Sequence, residues 1–378
     1  MPGRFGSVGL RPHVPRLPPH ALSHSLPPDP CEINHIRGNI SHNLPNSKGK
    51  LFFISCARMR IKSGILWKAL RVGTALEGVV ANVVKILNMP EYLYQPRAGF
   101  RRLFGRQAHT GTKIVELRWG LPFEVDLGES IGRAVAHHGL FEIAAVESIF
   151  RLVDASDIFL DIGANIGFMS AVALSAGARE IHSFEPHPTL FDRLAHNIAL
   201  WEKARPEIAG RVKCHQAAIS KEAGRMTLHI PLGFDSNMGT SSLEASAGDD
   251  SGLNFEVRTM SIDEIIGERS IGVLKIDVEG HELQALAGCQ RSLEARRVRD
   301  IIFEDHEGMK SEVSQQLSRA GFTLFGLNKT PFRPVLLDTE KQVERFRSLS
   351  NEALNFLATL DPARARRRMA QWGYKCLA

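Results

Sequence analysis

The chain has 378 residues, 43% hydrophobic and 23% charged, a balance that supports a buried core and excludes a wholly disordered, collagen-like or disulfide-scaffold protein. Its five cysteines (Cys31, Cys56, Cys214, Cys289, Cys376) lack paired or metal-type spacing and fit free thiols in a reducing, cytoplasmic setting. The net charge of +6 permits contact with an anionic surface without requiring it, and no apolar run reaches the roughly 18 residues of a clean membrane span.

Residues 1–50 hold nine of the nineteen prolines and five of the fifteen histidines. Without apolar periodicity they cannot bury enough surface to offset chain entropy, so 1–58 is read as disordered. Those histidines are too widely spaced to converge as a metal tract. Met59 opens the first foldable stretch, which points to translation starting there. An extension follows over 59–138. Leu66, Leu70, Leu76, Val80, Val83, Val84 and Leu87 recur at helical spacing. They predict an amphipathic helix packed on the domain or on a second copy of the chain. The alternative is a helix at a membrane surface, helped by Arg97, Arg101, Arg102 and Arg106. Residues 113–126 alternate as a hairpin.

From 139 to 340 strand and helix patterns alternate: "DIFLDIG", "FMSAVALSAGA", "EIHSFEP", "HPTLFDRLAHNIALW", "RVKCHQAAI", "IGVLKIDVEG", "HELQALAGCQRSL", "RDIIFED", "KSEVSQQLSRAG" and "FTLFGL". Apolar strands separated by helices of 10–15 residues predict a parallel sheet covered on both faces. Such sheets bind ligands beyond the carboxyl ends of their strands.

Asp161, Gly163, Ala164, Asn165 and Gly167 follow the first of these strands. The glycines permit a tight turn into a helix, and Asn165 tolerates a positive φ. The spacing is not GxGxxG, and Asp161 disfavours a pyrophosphate. Glu185, ending the second strand and followed by Pro186, is placed to accept hydrogen bonds from two ribose hydroxyls. An acid, a glycine turn and a ribose-reading acid fit S-adenosyl-L-methionine; the plainer alternative is a structural turn with a solvated glutamate. After the third strand, Gln216, Ala217 and Ala218 would flank the adenine, the amide reading its edge and the alanines leaving room.

In "KIDVEGHE", Lys275, Asp277 and Glu279 share one side of a strand. Lys275 is expected to pair with a carboxylate. Asp277 is the first choice for the group nearest the reacting atoms. His281 titrates near neutrality and is a candidate base, or it sits in the first turn of the next helix. Glu304 directly follows the apolar run "IIF" and is placed in the pocket. Asp277, Glu279, Glu304 and His306 could alternatively hold Mg²⁺; no metal is assigned.

"FLDIGANIGFMS", "FEPHP" and "VLKIDVEGHELQALAG", with "GLFEIAAVE" and "IIFEDHE" in matching order, resemble the FkbM family of S-adenosylmethionine-dependent methyltransferases. The resemblance covers roughly 110–330. It implies a Rossmann-like, doubly wound, mostly parallel seven-stranded α/β sheet with helices on both faces, here with an N-terminal helical and hairpin extension. It also implies methyl transfer to a hydroxyl of a small molecule or glycan: a sugar, a glycolipid or a polyketide-like acceptor. The other class is a non-catalytic nucleotide-binding or scaffolding protein on the same sheet.

The polar stretch 231–256 reads as a lid or substrate loop, with Ser241 and Ser242 near a polar acceptor, or as an insertion. The tail 341–378 reads as helical, with Arg364, Arg366, Arg367 and Arg368 on a solvated face or against an anionic saccharide, lipid or nucleic acid. Nucleic acid is disfavoured by the lack of aromatic interleaving.

Overall fold

β-branched and aromatic runs become strands wherever both faces can be covered. The computed structural model describes residues 90–94, 110–230, 253–347 and 354–378, all within one compact unit, Ser63–Ala378. The readings of 1–58, the helix at 66–87, the arginines at 97–106 and Ser241 and Ser242 lie outside the described residues.

The hairpin expected at 113–126 is β1 (Thr112–Glu116) paired antiparallel with β2 (Pro122–Asp126). It is part of the core rather than an appendage. Leu117, Leu121, Phe123 and Val125 are buried, and Phe123 stacks on Trp201 with ring centroids 6.1 Å apart. Helices Ser130–His138 and Ile143–Leu152 follow. The alternating segment then supplies β3 (Ile158–Ile162), β4 (Glu180–Phe184) and β5 (Val212–His215). Short β6 (Ala218–Ile219) and the hairpin of β7 (Gly224–Ile230) and β8 (Leu253–Met260) form a separate three-stranded sheet in the order β6-β8-β7. After it come β9 (Ile271–Ile276), β10 (Val298–Glu304), β11 (Thr323–Lys329), β12 (Pro334–Leu337) and β13 (Asn355–Thr359).

The main sheet runs β12-β11-β13-β10-β9-β3-β4-β5. Pairings from β10 through β5 are parallel, and those of β13 with β10 and β11 are antiparallel. This is the expected doubly wound, Rossmann-like α/β sheet, with eight strands rather than seven because the β11–β12 hairpin adds an edge strand. The tail read as wholly helical supplies β13, inserted between β10 and β11 and buried along its whole length.

Successive residues feed two cores, one on each face. Ile158, Leu160 and Ile162 join one cluster with Leu274, Ile276, Ile301 and Phe303. Phe159 joins the other with Ile181, Val273 and Ile302. Followed toward the carboxyl ends, this second set turns polar: Phe159 gives way to Asp161, Ile181 to Ser183, Val273 to Lys275 and Ile302 to Glu304. The sheet's order reverses at β3, which is flanked by β4 and β9. A crevice opens at such a switch point.

Candidate functional site

A cavity of about 300 Å³ opens at this switch point. The segments after β3, β4 and β9 all contribute to its wall. The turn after β3 is the first structural cause. Gly163 has φ 78°, and a Cβ there would lie 1.8 Å from the Asp277 carbonyl oxygen. Only a glycine lets the loop seat this closely on the end of β9. The Gly163 and Ala164 N–H groups both donate to the Phe184 carbonyl, at 3.1 and 2.9 Å, tying the loop to β4.

Glu185 is 4% exposed. Its carboxylate accepts from the backbone N–H of Asn165 at 2.8 Å and of His187 at 2.9 Å. Burial pushes its pKa up to about 7 against those two donors. Beside it, Phe184, Pro186, Ala217, Ala218, Ile219 and Leu228 form an apolar wall. This half presents an apolar wall beside a buried acid.

The other half is acidic. Lys275, Asp277, Glu279 and Glu304 line it, together with Glu142 at the start of helix Ile143–Leu152. Lys275 is buried and donates to Asp277 at 2.9 Å. Burial opposes its charge, but the carboxylates of Asp277, Asp161 and Glu142 outweigh that and raise its pKa. Glu279 stands at the exposed lip of the cavity, where partial desolvation and then Asp277 raise its pKa. Glu304 is pushed up to about 8, first by burial and then by Asp277, Glu142 and Glu279. The Asn355 side chain of β13 donates to Glu142 at 3.3 Å, and Asn355 is the cross-strand partner of Glu304. Glu142, Asn165 and Glu279 all have φ near +50°. Three of the four non-glycine residues in the left-handed region among the described residues therefore line this one cavity, where backbone strain tends to collect.

Four of the expected site residues do not line the cavity. Asp161 is fully buried behind the cavity wall. It accepts from Ser170 Oγ at 2.6 Å, because helix Phe168–Ala176 covers that side of β3. Its other oxygen has no hydrogen-bond partner, and burial raises its pKa. Gly167 is a packing site: a Cβ there would lie 2.7 Å from Leu194 and 3.3 Å from Trp201. Gln216 is exposed, since the chain turns between β5 and β6 and only Ala217 and Ala218 face inward. His281 is 1% exposed, and its Nε2 lies 3.1 Å from Ser220 Oγ. It braces the loop after β9 against the end of β6 and does not line the cavity. Gly163, Ala164, Asn165, Glu185, Pro186, Ala217, Ala218, Asp277, Glu279 and Glu304 do line it.

Glu142 is the acid that residue spacing does not single out. An acid before an apolar helical run ordinarily reads as a helix-start residue, and nothing in the pattern tells that its backbone turns left-handed toward the crevice. Among the described residues no three His, Cys, Asp or Glu side chains are arranged to hold a metal ion. The Mg²⁺ alternative of Asp277, Glu279, Glu304 and His306 is thus not assembled in this arrangement. No helix among the described residues is long and apolar enough to cross a membrane.

The model of the FkbM methyltransferase domain matches residues 161–354. A 31-O-demethyl-FK506 methyltransferase of Streptomyces tacrolimicus is 32% identical over 198 residues, covering 44% of this chain and 73% of that protein. A hexuronic acid methyltransferase of Haloferax volcanii is 27% identical over 207 residues, covering 48% and 76%. Among solved structures, an FkbM methyltransferase of Methylobacillus flagellatus is similar at a TM-score of 0.36 and 16% identity, over 54% of this chain and 44% of that one.

Proposed function

The chain belongs to the FkbM family of methyltransferases, and from that premise we propose that it transfers a methyl group from S-adenosyl-L-methionine to a hydroxyl oxygen of a small molecule or glycan. The observation that carries the proposal is a single cavity with two unlike halves: an apolar slot rimmed by Glu185, and an acidic half around Glu304. The donor set fits the cofactor. Glu185 keeps acceptor capacity beyond its two backbone N–H bonds, which suits ribose hydroxyls. Ala217, Ala218, Ile219 and Phe184 leave a flat apolar space for adenine. No arginine or lysine lines this half among the described residues, in keeping with a ligand that has no phosphate.

When bound, S-adenosyl-L-methionine supplies an electrophilic methyl group on a sulfonium. The chain's task is to position the acceptor and remove its proton. Lys275 holds the Asp277 carboxylate in one orientation through its 2.9 Å bond. With Asp277 engaged by Lys275, Glu304 is the carboxyl group assigned as the proton acceptor. A pKa pushed up to about 8 lies near operating pH, where a general base is most effective. His306 Nε2, 3.5 Å from Glu304 Oε1, lies on its solvent side.

The test is transfer of labelled methyl from S-adenosyl-L-methionine to a panel of hydroxylated sugars, polyketides and lipids. Product is expected with the wild-type chain, and Glu304→Gln should lower the rate by about 10²-fold or more. Full activity in that variant would remove Glu304 from the role. Donor binding with no acceptor turned over would return the chain to a binding or scaffolding role.

A further inference from the structure

We propose that the tip of the β11–β12 hairpin and the adjoining C-terminal residues form a docking surface for an anionic lipid bilayer. Five large hydrophobic side chains are exposed among the described residues, and three of them collect here: Tyr94 (41% exposed), Phe332 (57%) and Trp372 (76%). The Phe332 and Trp372 rings have centroids 6.1 Å apart. Tyr94 packs edge-on against Tyr374, two residues on from Trp372, at 6.0 Å. Single exposed apolar residues are ordinary on a protein surface, whereas a group of them marks a contact surface. The backbone holds this group in place. The Gly373 N–H donates to the Phe332 carbonyl at 2.9 Å, and the buried Tyr374 hydroxyl donates to the Thr330 carbonyl at 2.5 Å.

Strand register fixes where this surface lies. Gly326 and Phe303 share the cross-strand partner Phe356, so β11 runs parallel to β10, and the turn after Lys329 leaves the sheet at the same edge as Glu304. A bilayer met by this surface lies against the edge that carries the cavity. The charge of the surrounding chain selects the partner. Residues 329–338 and 366–378 hold six lysines and arginines and one acid, Asp338. Arg366 pairs with Asp338, Lys329 with Glu91 and Arg368 with Asp154. Exposed Arg333, Arg367 and Lys375 have no carboxylate partner among the described residues, and Arg333 lies 5.9 Å from the Trp372 ring centre. Aromatic rings settle at the headgroup level of a bilayer, and flanking cations are drawn to anionic headgroups. The Phe332 and Trp372 rings meet at 38°, so they do not make one flat stacking platform for a base or a sugar ring. An isologous dimer through this surface would bring its cations against their own copies.

Cosedimentation of the full-length chain with phosphatidylcholine vesicles, alone or containing about 30% phosphatidylglycerol, tests this. Binding is expected to be at least about tenfold tighter with the anionic vesicles and to weaken as salt is raised. The double variant Phe332→Ser, Trp372→Ser should weaken it at least about tenfold. Lipids brominated in their acyl chains should quench tryptophan emission in the wild-type chain, and Trp372→Phe should remove that quenching. Circular dichroism and a wild-type urea midpoint check the fold of each variant. No binding to the anionic vesicles, equal binding to the uncharged ones, or undiminished binding by the folded double variant would overturn the proposal. So would a dimer, seen by light scattering, that the double variant abolishes in place of lipid binding.

Discussion

Glu185 and Glu304 carry the strongest consequences of burial in the cavity. Their pKa values rise from the ordinary 4.5 to about 7 and about 8. The folded chain therefore keeps protons that the unfolded chain has released. Below about pH 4.5 both states hold them; as pH rises toward 8 the folded state must give them up, so stability falls through that window. Denaturant midpoints at pH 5 and pH 8.5 should show the fall, and Glu304→Gln should flatten it. Catalysis runs the other way. Glu304 is a base only when ionised, so the rate of methyl transfer should climb as pH passes about 8. An alkaline limb that persists in Glu304→Gln would assign it to another group. Gly163→Ala places a methyl 1.8 Å from the Asp277 carbonyl at a left-handed residue. It should cost roughly 2–4 kcal/mol in chemical denaturation and weaken donor binding as well. Residue types and strand-end positions made most of the wall legible, Gly163, Glu185, Asp277 and Glu304 among them. They could not say which side chains near a strand end face the crevice. Asp161 and His281 carry the right chemistry, but the first is covered by Ser170 and the second is turned onto Ser220.

Among elements, β13 and the helix Pro362–Met369 depart furthest from their pattern. A run such as "ARARRRM" reads as a solvated basic face, yet its arginines do different jobs. Arg364 pairs with Asp300 at 3.0 Å and Asp154 at 2.6 Å, and Arg368 pairs with Asp154 at 2.6 Å. Arg366 lies over the Phe325 ring at 4.7 Å, and Arg367 is exposed. Asp300 is fully buried and also accepts from Thr359 at 2.6 Å and Arg299 at 2.9 Å. Periodicity could not show this, because the partners lie some sixty or more residues away in sequence. Arg364→Met leaves Asp300 short of a partner in a buried network, and a loss of about 3 kcal/mol is expected in urea denaturation. The network sits at the amino end of β10, the end of the sheet away from Glu304. Donor affinity should therefore stay within about twofold; a loss of affinity without a loss of stability would contradict this division.

At the scale of the molecule, the sheet order explains why one cavity draws on residues as far apart in sequence as Ser130 and Glu304. The parallel half was legible because its strands are short, apolar and separated by helical patterns. The antiparallel half was not, since "NFLAT" is five residues long and looks like part of a helical tail until β10 and β11 are seen to leave a place for it. The last residues lock this arrangement. Buried Glu147 accepts from the backbone N–H of Lys375 and Cys376, each at 2.9 Å. Deleting 355–378 should strip β10 and β11 of their partner and give an aggregating chain by size-exclusion chromatography. A soluble, monodisperse product would show that β13 is dispensable. The whole account depends on a donor seated against Glu185 at the switch point. Calorimetric titration of the full-length chain with S-adenosyl-L-methionine, beside Glu185→Ala, tests it most directly. One saturable site is predicted, weakened at least about tenfold in a variant that unfolds like the wild type, equivalent to about 1.4 kcal/mol. No binding by folded protein, or equal affinity in the variant, would contradict it.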